Sequence, residues 1–170
     1  MISGKILKKE ETKITADPGK QEIFISRVFK APRELVFRAF TDPKLLVQWF
    51  GPKDLTLTVE KSEMRKGGSY RYIHTDKNGN EFKFNGVVHD LAAPEKIIDT
   101  FEFEGEKESG HVALEITTFE GLAGNKTRMD QHTIFQSVED RDGMIQADMK
   151  RGVLESHERL DWLLEEGLSL

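Results

Sequence analysis

The chain has 170 residues, 37% hydrophobic and 32% charged, enough for one domain with a sizeable core and a well-solvated surface. A formal net charge of −5 argues against general nucleic-acid binding, because no basic surplus offsets phosphate repulsion. Cysteine is absent, which removes disulfides, thiolate chemistry and cysteine-ligated metal and suits a cytoplasmic location; no apolar run reaches the roughly 20 residues of a bilayer span.

Residues 1–20 are polar, close on Pro18-Gly19 and lack the apolar core of a signal peptide. They read as a flexible extension or a loosely added edge strand, ahead of a single domain over 21–170. "QEIFISRVF" is β-branched and aromatic and predicts a strand over 21–30. "APRELVFRAFTD" follows as a helix, with Pro32 suited to its first position and Leu35, Val36, Ala39 and Phe40 at helical spacing. Asp42-Pro43 then looks like an N-cap with a first-turn proline. Leu45, Leu46, Trp49 and Phe50 share one stripe of this second short helix, which Gly51-Pro52 stops.

From Leu55 to Phe135 the apolar period changes to two. "GGSYRYIHT" puts Tyr70, Tyr72 and His74 on one face. "DKNGNE" carries an Asn-Gly hairpin signal, and "EFKFNGVVHDL" aligns Phe82, Phe84, Gly86 and Val88. About seven strands in hairpin order make an antiparallel sheet. Ser137 opens a capping-box relative, Ser-x-x-Asp. A stripe of Ile145, Met149, Gly152, Val153, Ser156, Leu160, Leu163 and Leu164 then predicts one helix of about six turns lying across the sheet. Gly152 within that stripe costs up to about 1 kcal/mol of helix propensity, so either the helix approaches its neighbour closely or the missing side chain leaves space.

Catalytic signals are sparse. His74, His89, His111, His132 and His157 show no short ligand spacing, so no metal site is expected. There is no Gly-x-Ser-x-Gly elbow and no phosphate-cradling glycine loop, and among the many Asp and Glu no pair stands out as two hydrolase carboxylates. No cofactor is implied. Aromatic residues are more informative. For any single Phe, core filling is the plain reading. Tyr70, Tyr72 and His74 are aromatic bodies with polar tips, and a buried hydroxyl without a partner costs about 1–3 kcal/mol. Facing inward, they would need partners or a ligand's polar end; facing outward, they would leave Arg71 in the core, a poor core residue. Arg27 and Arg128 could reach a cavity mouth and favour a ligand carboxylate or phosphate, or form surface ion pairs. Trp162 lies off the apolar stripe of its helix, as an interface anchor would.

The stretches "SRVFKAPRELVFRAFTDPKLLVQWFGP", "MRKGGSYRYIHTDKNGNEFKFNGVV" and "FQSVEDRDGMIQADMKRGV" resemble bacterial homologues of the C-terminal domain of the heat-shock-protein-90 ATPase activator, a branch of the START-like (SRPBCC) helix-grip superfamily. The resemblance runs from about residue 22 to 167. It implies an α+β fold of β-α-α-β6-α order, a curved seven-stranded antiparallel sheet around a long C-terminal helix, with a cavity between sheet and helix closed at one end by the two short helices. The cavity-lining set would then be Phe40, Trp49 and Phe50 from the lid, and Tyr70, Tyr72, His74, Phe84, Gly86, Phe101 and Phe103 from the strands. Met149, Gly152 and Val153 of the long helix would complete it. Phe50 should stand nearer the opening than Trp49.

The reading that follows is a non-enzymatic module binding a small hydrophobic or amphipathic ligand. The alternative is a protein-interaction domain with a chaperone or homodimer contact through Trp162. A third reading is a polyketide cyclase- or dehydratase-like enzyme using pocket Tyr and His groups. Neither nucleic-acid binding nor membrane insertion is expected.

Overall fold

The computed structural model describes residues 10–168. In chain order the elements are β1 (Lys13–Thr15), β2 (Glu22–Phe29), α1 (Arg33–Thr41), α2 (Pro43–Trp49), β3 (Thr56–Ser62), β4 (Ser69–Thr75), β5 (Glu81–Ala92), β6 (Lys96–Phe103), β7 (Val112–Leu122), β8 (Lys126–Ile134), α3 (Val138–Gln146) and α4 (Met149–Glu165). The strands form one antiparallel sheet in the order β1-β2-β8-β7-β6-β5-β4-β3. From β3 to β8 neighbours in sequence are neighbours in the sheet. The one long jump runs from β2 to β3 at the far side, and α1 and α2 make that crossing over one face.

This is the expected helix-grip α+β fold, with two corrections. Residues 13–15 add an eighth strand, pairing Ile14 with Ile25 at the edge. Of the two expectations for residues 1–20, the edge strand applies to that part, while residues 1–9 lie outside the described residues. Three residues are too few for an alternation to be read from sequence. The C-terminal stripe is two helices rather than one. Asp148 takes a left-handed conformation at φ 62, which interrupts the hydrogen-bond ladder, and Ile145 is left 40% exposed on α3.

The caps follow the sequence. Asp42 accepts a hydrogen bond from Lys44 N at 2.9 Å, and Ser137 accepts one from Asp140 N at 3.0 Å. Pro32 sits one place earlier than expected, at the N-cap of α1. The core is packed beneath α1, which lies over β7 and β8, and α2, which lies over β3 and against α4. Phe29, Val36, Trp49 and Met129 are at most 1% exposed there, each contributing about 1.5–3 kcal/mol by burial. Phe119 meets Phe37 and Phe40 edge to face at 5.4 and 5.1 Å.

Candidate functional site

Strand β4 supplies the first part of the site. Its alternation turns Tyr70, Tyr72 and His74 inward, where they are 4%, 7% and 4% exposed. Arg71 remains outside, paired with Glu60 and Glu104. The two tyrosine rings stack at 4.6 Å. Tyr70 lies across Gly86 of β5, where a Cβ would stand 1.9 Å from the Thr100 carbonyl oxygen and 2.4 Å from the tyrosine. Glycine here is what gives the tyrosine its place. The Tyr70 hydroxyl is 3.0 Å from Asp99 Oδ2 and also reaches the Thr100 carbonyl.

Asp99 on β6 stands directly opposite Glu115 on β7, and both point inward. Sequence reading found no carboxylate pair; this is one. The available signal was phase. Asp99 alternates with Ile97 and Phe101, and Glu115 with Ala113 and Thr117, so each acid occupies a position of the buried face. Burial pushes both carboxyls well above the ordinary carboxylate range, and the neighbouring Asp99 charge pushes Glu115 further; the Tyr70 hydroxyl on Asp99 and the Gln131 side chain on Glu115 offset part of this. No Lys, Arg or His among the described residues pairs with either acid. Tyr72 is held protonated by burial and then by the fields of Asp99 and Glu115, and its hydroxyl has no hydrogen-bond partner among the described residues.

An aromatic wall adjoins these groups. Phe84 lies 5.0 Å from Phe101, 5.1 Å from Phe103 and 5.6 Å from His74, ring centre to ring centre. All three Phe side chains are half-buried although they point inward. Phe50, also half-buried, meets Tyr72 at 6.0 Å and His74 at 5.7 Å. Trp49 is 1% exposed and donates from Nε1 to the Ala39 carbonyl at 2.9 Å, which locks α2 onto α1. Phe40 meets it at 4.7 Å between ring centres, tilted by 55°. The strand aromatics and Phe50 therefore come together, while Phe40 and Trp49 belong to the packed end. Met149 and Val153 are half-buried on α4, and Gly152 faces Pro52, with a Cβ placed 3.6 Å from that ring. Its close neighbour is the turn after α2 rather than the sheet.

The profile of the family described as "Activator of Hsp90 ATPase homolog 1-like protein" matches residues 30–165. The chain belongs to this family. Among solved structures, a protein from Rhodobacter sphaeroides is 24% identical, with 92% of this chain and 100% of that chain aligned at a TM-score of 0.82. One from Staphylococcus epidermidis is 27% identical over 93% and 96% of the two chains, with a TM-score of 0.77. The AHSA1 protein from Silicibacter pomeroyi is 19% identical over 85% and 97%, with a TM-score of 0.70, a likeness of fold. No match is found among curated proteins.

In this member of the Activator of Hsp90 ATPase homolog 1-like family the other candidates are tied up structurally. Arg27 is buried, ion-paired with Asp161 of α4, and donates to Thr12 Oγ1 at 3.1 Å. Arg128 lies outside with Glu120 and Asp130. The histidines do not converge. His132 stacks on Phe24, His111 meets Asp140, and His157 is bonded to Thr12 at 2.7 Å. Burial, then Arg159, lowers His74 to about 4; burial, then Arg27, lowers His157 to about 3. On the outer flank of α4 a groove of about 590 Å³ is lined by Glu10, Lys30, Lys53, Arg159 and Trp162, the last 62% exposed. A second hollow of about 350 Å³ lies between α1 and the β7–β8 turn. None of the predicted ligand residues lines either. No helix among the described residues is long and apolar enough to cross a membrane.

Proposed function

We propose that this chain binds a small amphipathic ligand between the inner face of the sheet and helices α3 and α4. The observation that carries this reading is the unlike packing of the two ends of the interior. At the β2–β8–β7 end the side chains fill the core, whereas at the β4–β5–β6 end Phe84, Phe101 and Phe103 point inward and remain half-buried beside Phe50. Apolar walls with a few polar groups among them are the usual make-up of a small-molecule site. Burial of apolar ligand surface would supply about 25 cal/mol per Å² before ordering costs. The test is native mass spectrometry and thermal shift of the full chain against a lipid and aromatic library. Ligands that fit should raise the melting temperature and lose that effect in Phe101→Ala. A library without one stabilising ligand would reject the reading.

A second reading rests on Trp162, a large apolar side chain left 62% exposed in a groove. An exposed Trp is a common interface anchor. Pull-down with purified heat-shock protein 90, with wild type and Trp162→Ala, decides it: capture lost in the variant supports a protein contact, and equal capture or none rejects it.

A further inference from the structure

Asp99 and Glu115 face one another across β6 and β7 on the inner side of the sheet, with Asp99 only 9% exposed. Buried charges in folded proteins are ordinarily paired. Here two acids share one site, and no cation among the described residues pairs with either. Each has one side-chain hydrogen-bond partner among the described residues, the Tyr70 hydroxyl for Asp99 and the Gln131 side chain for Glu115. A carboxylate has about four acceptor positions, so most of their capacity is unused. A second observation points to the same place. Tyr72 is 7% exposed, is stacked on Tyr70, feels the charges of Asp99 and Glu115, and has a hydroxyl without a partner among the described residues. Beside these groups stand the stacked rings of Tyr70 and Tyr72, and rings of this kind attract cations through their quadrupole.

We propose that the Asp99–Glu115 pair, with the Tyr72 hydroxyl, is the recognition site for a protonated amine at the end of an apolar ligand. The ammonium takes the place of a proton that burial otherwise keeps on the pair, its three N–H donors meet the two carboxyls and the Tyr72 oxygen, and the apolar body lies against Phe84, Phe101 and Phe103. At neutral pH the free pair keeps protons that an arriving ammonium displaces to solvent, so charge stays balanced on binding. The specificity is a difference in affinity. An alcohol of the same length offers one donor and no charge, and a carboxylate meets repulsion.

This rests on the cavity reading above, and the experiment separates the two. Octylamine, 1-octanol and octanoate are titrated into the full chain by calorimetry and by amide NMR, with wild type, Glu115→Gln and Asp99→Asn. In wild type octylamine should bind at least about tenfold more tightly than octanol and octanoate weakest, with shifts at residues of β4, β6 and β7. In either variant the preference of amine over alcohol should collapse to within about threefold. If no probe binds, the cavity reading fails and this inference with it. If octanol or octanoate binds as well as octylamine, the cavity stands and the amine assignment is overturned. An amine preference that survives both substitutions belongs to the acidic outer surface and also overturns it. Having two variants keeps the result readable if one does not fold, and Tyr72→Phe, expected to weaken octylamine more than octanol, serves if neither does.

Discussion

Two glycines show how single residues set the interior. Gly51 has φ +106, and a Cβ there would stand 2.5 Å from the His74 ring. At Gly86 a side chain would meet both Tyr70 and the Thr100 carbonyl of the neighbouring strand. In both cases the residue that matters chemically is the aromatic neighbour, and the glycine is its footprint. We expect Gly86→Ala to displace Tyr70 from Asp99 and to destabilise the fold by about 1–3 kcal/mol. Chemical denaturation measures the loss, and tyrosine fluorescence reports the displaced ring. If stability and the tyrosine signal are both unchanged, Gly86 does not serve to seat Tyr70. Trp49 and Phe50 divide their work in the same local way. Trp49 spends its N–H on Ala39 and is sealed in the core, while Phe50 at the edge of the same stripe touches Tyr72 and His74.

Between elements, α2 and the turn after it are fastened to α4 by a small clasp. Ser156 Oγ accepts from Gly51 N at 2.8 Å and donates to the Gly152 carbonyl at 2.7 Å. Arg159 donates to the carbonyls of Gly51 and Gln48, each at 3.2 Å, and Glu155 accepts from Lys53 N at 2.6 Å. Ser156 is 5% exposed, so removing its hydroxyl leaves the Gly51 N–H buried without a partner. Ser156→Ala should cost about 1–3 kcal/mol and speed amide exchange in residues 50–53 ahead of global unfolding. Exchange that accelerates uniformly along the chain would show that the clasp does not hold this turn in particular. A serine in an otherwise apolar stripe was visible in the sequence, but its partner was not, because Gly51 comes from another part of the chain.

For the whole molecule, buried titrating groups make stability depend on pH in two opposed ways. His74 and His157 are lowered from 6.5 to about 4 and about 3. Their contribution is complete above pH 6.5 and declines as pH falls toward those values, since the unfolded chain then binds protons that the folded one refuses. The carboxyl pair has the reverse sign. Its folded pKa values lie above those of the unfolded chain, near 4, so its contribution is complete below that range and declines as pH rises. Melting temperature should therefore fall toward both acid and alkaline pH. Glu115→Gln should remove most of the alkaline decline, gaining about 1–3 kcal/mol at pH 8, roughly 2–4 °C per kcal/mol, and much less at pH 4.5. Calorimetry from pH 4 to 9 is the check, and a gain of the same size at every pH would refute a shared buried charge.

Whatever lies within one element or one turn is legible in the order of residues alone. The period of two fixed which side chains of β4 face inward, Asp42-Pro43 and Ser137 set two helix starts, and "APRELVF", "WFGP" and "DGM" carried the family resemblance. What depends on register between distant segments came with the fold. The facing of Asp99 with Glu115, the seat of Tyr70 on Gly86 and the clasp of Ser156 on Gly51 are of this kind. The break at Asp148 is of it too, since the apolar stripe continues across a residue whose backbone turns left-handed. Periodicity reports which face is buried, whereas the cost of a buried charge depends on what stands opposite, and that is set by strand pairing.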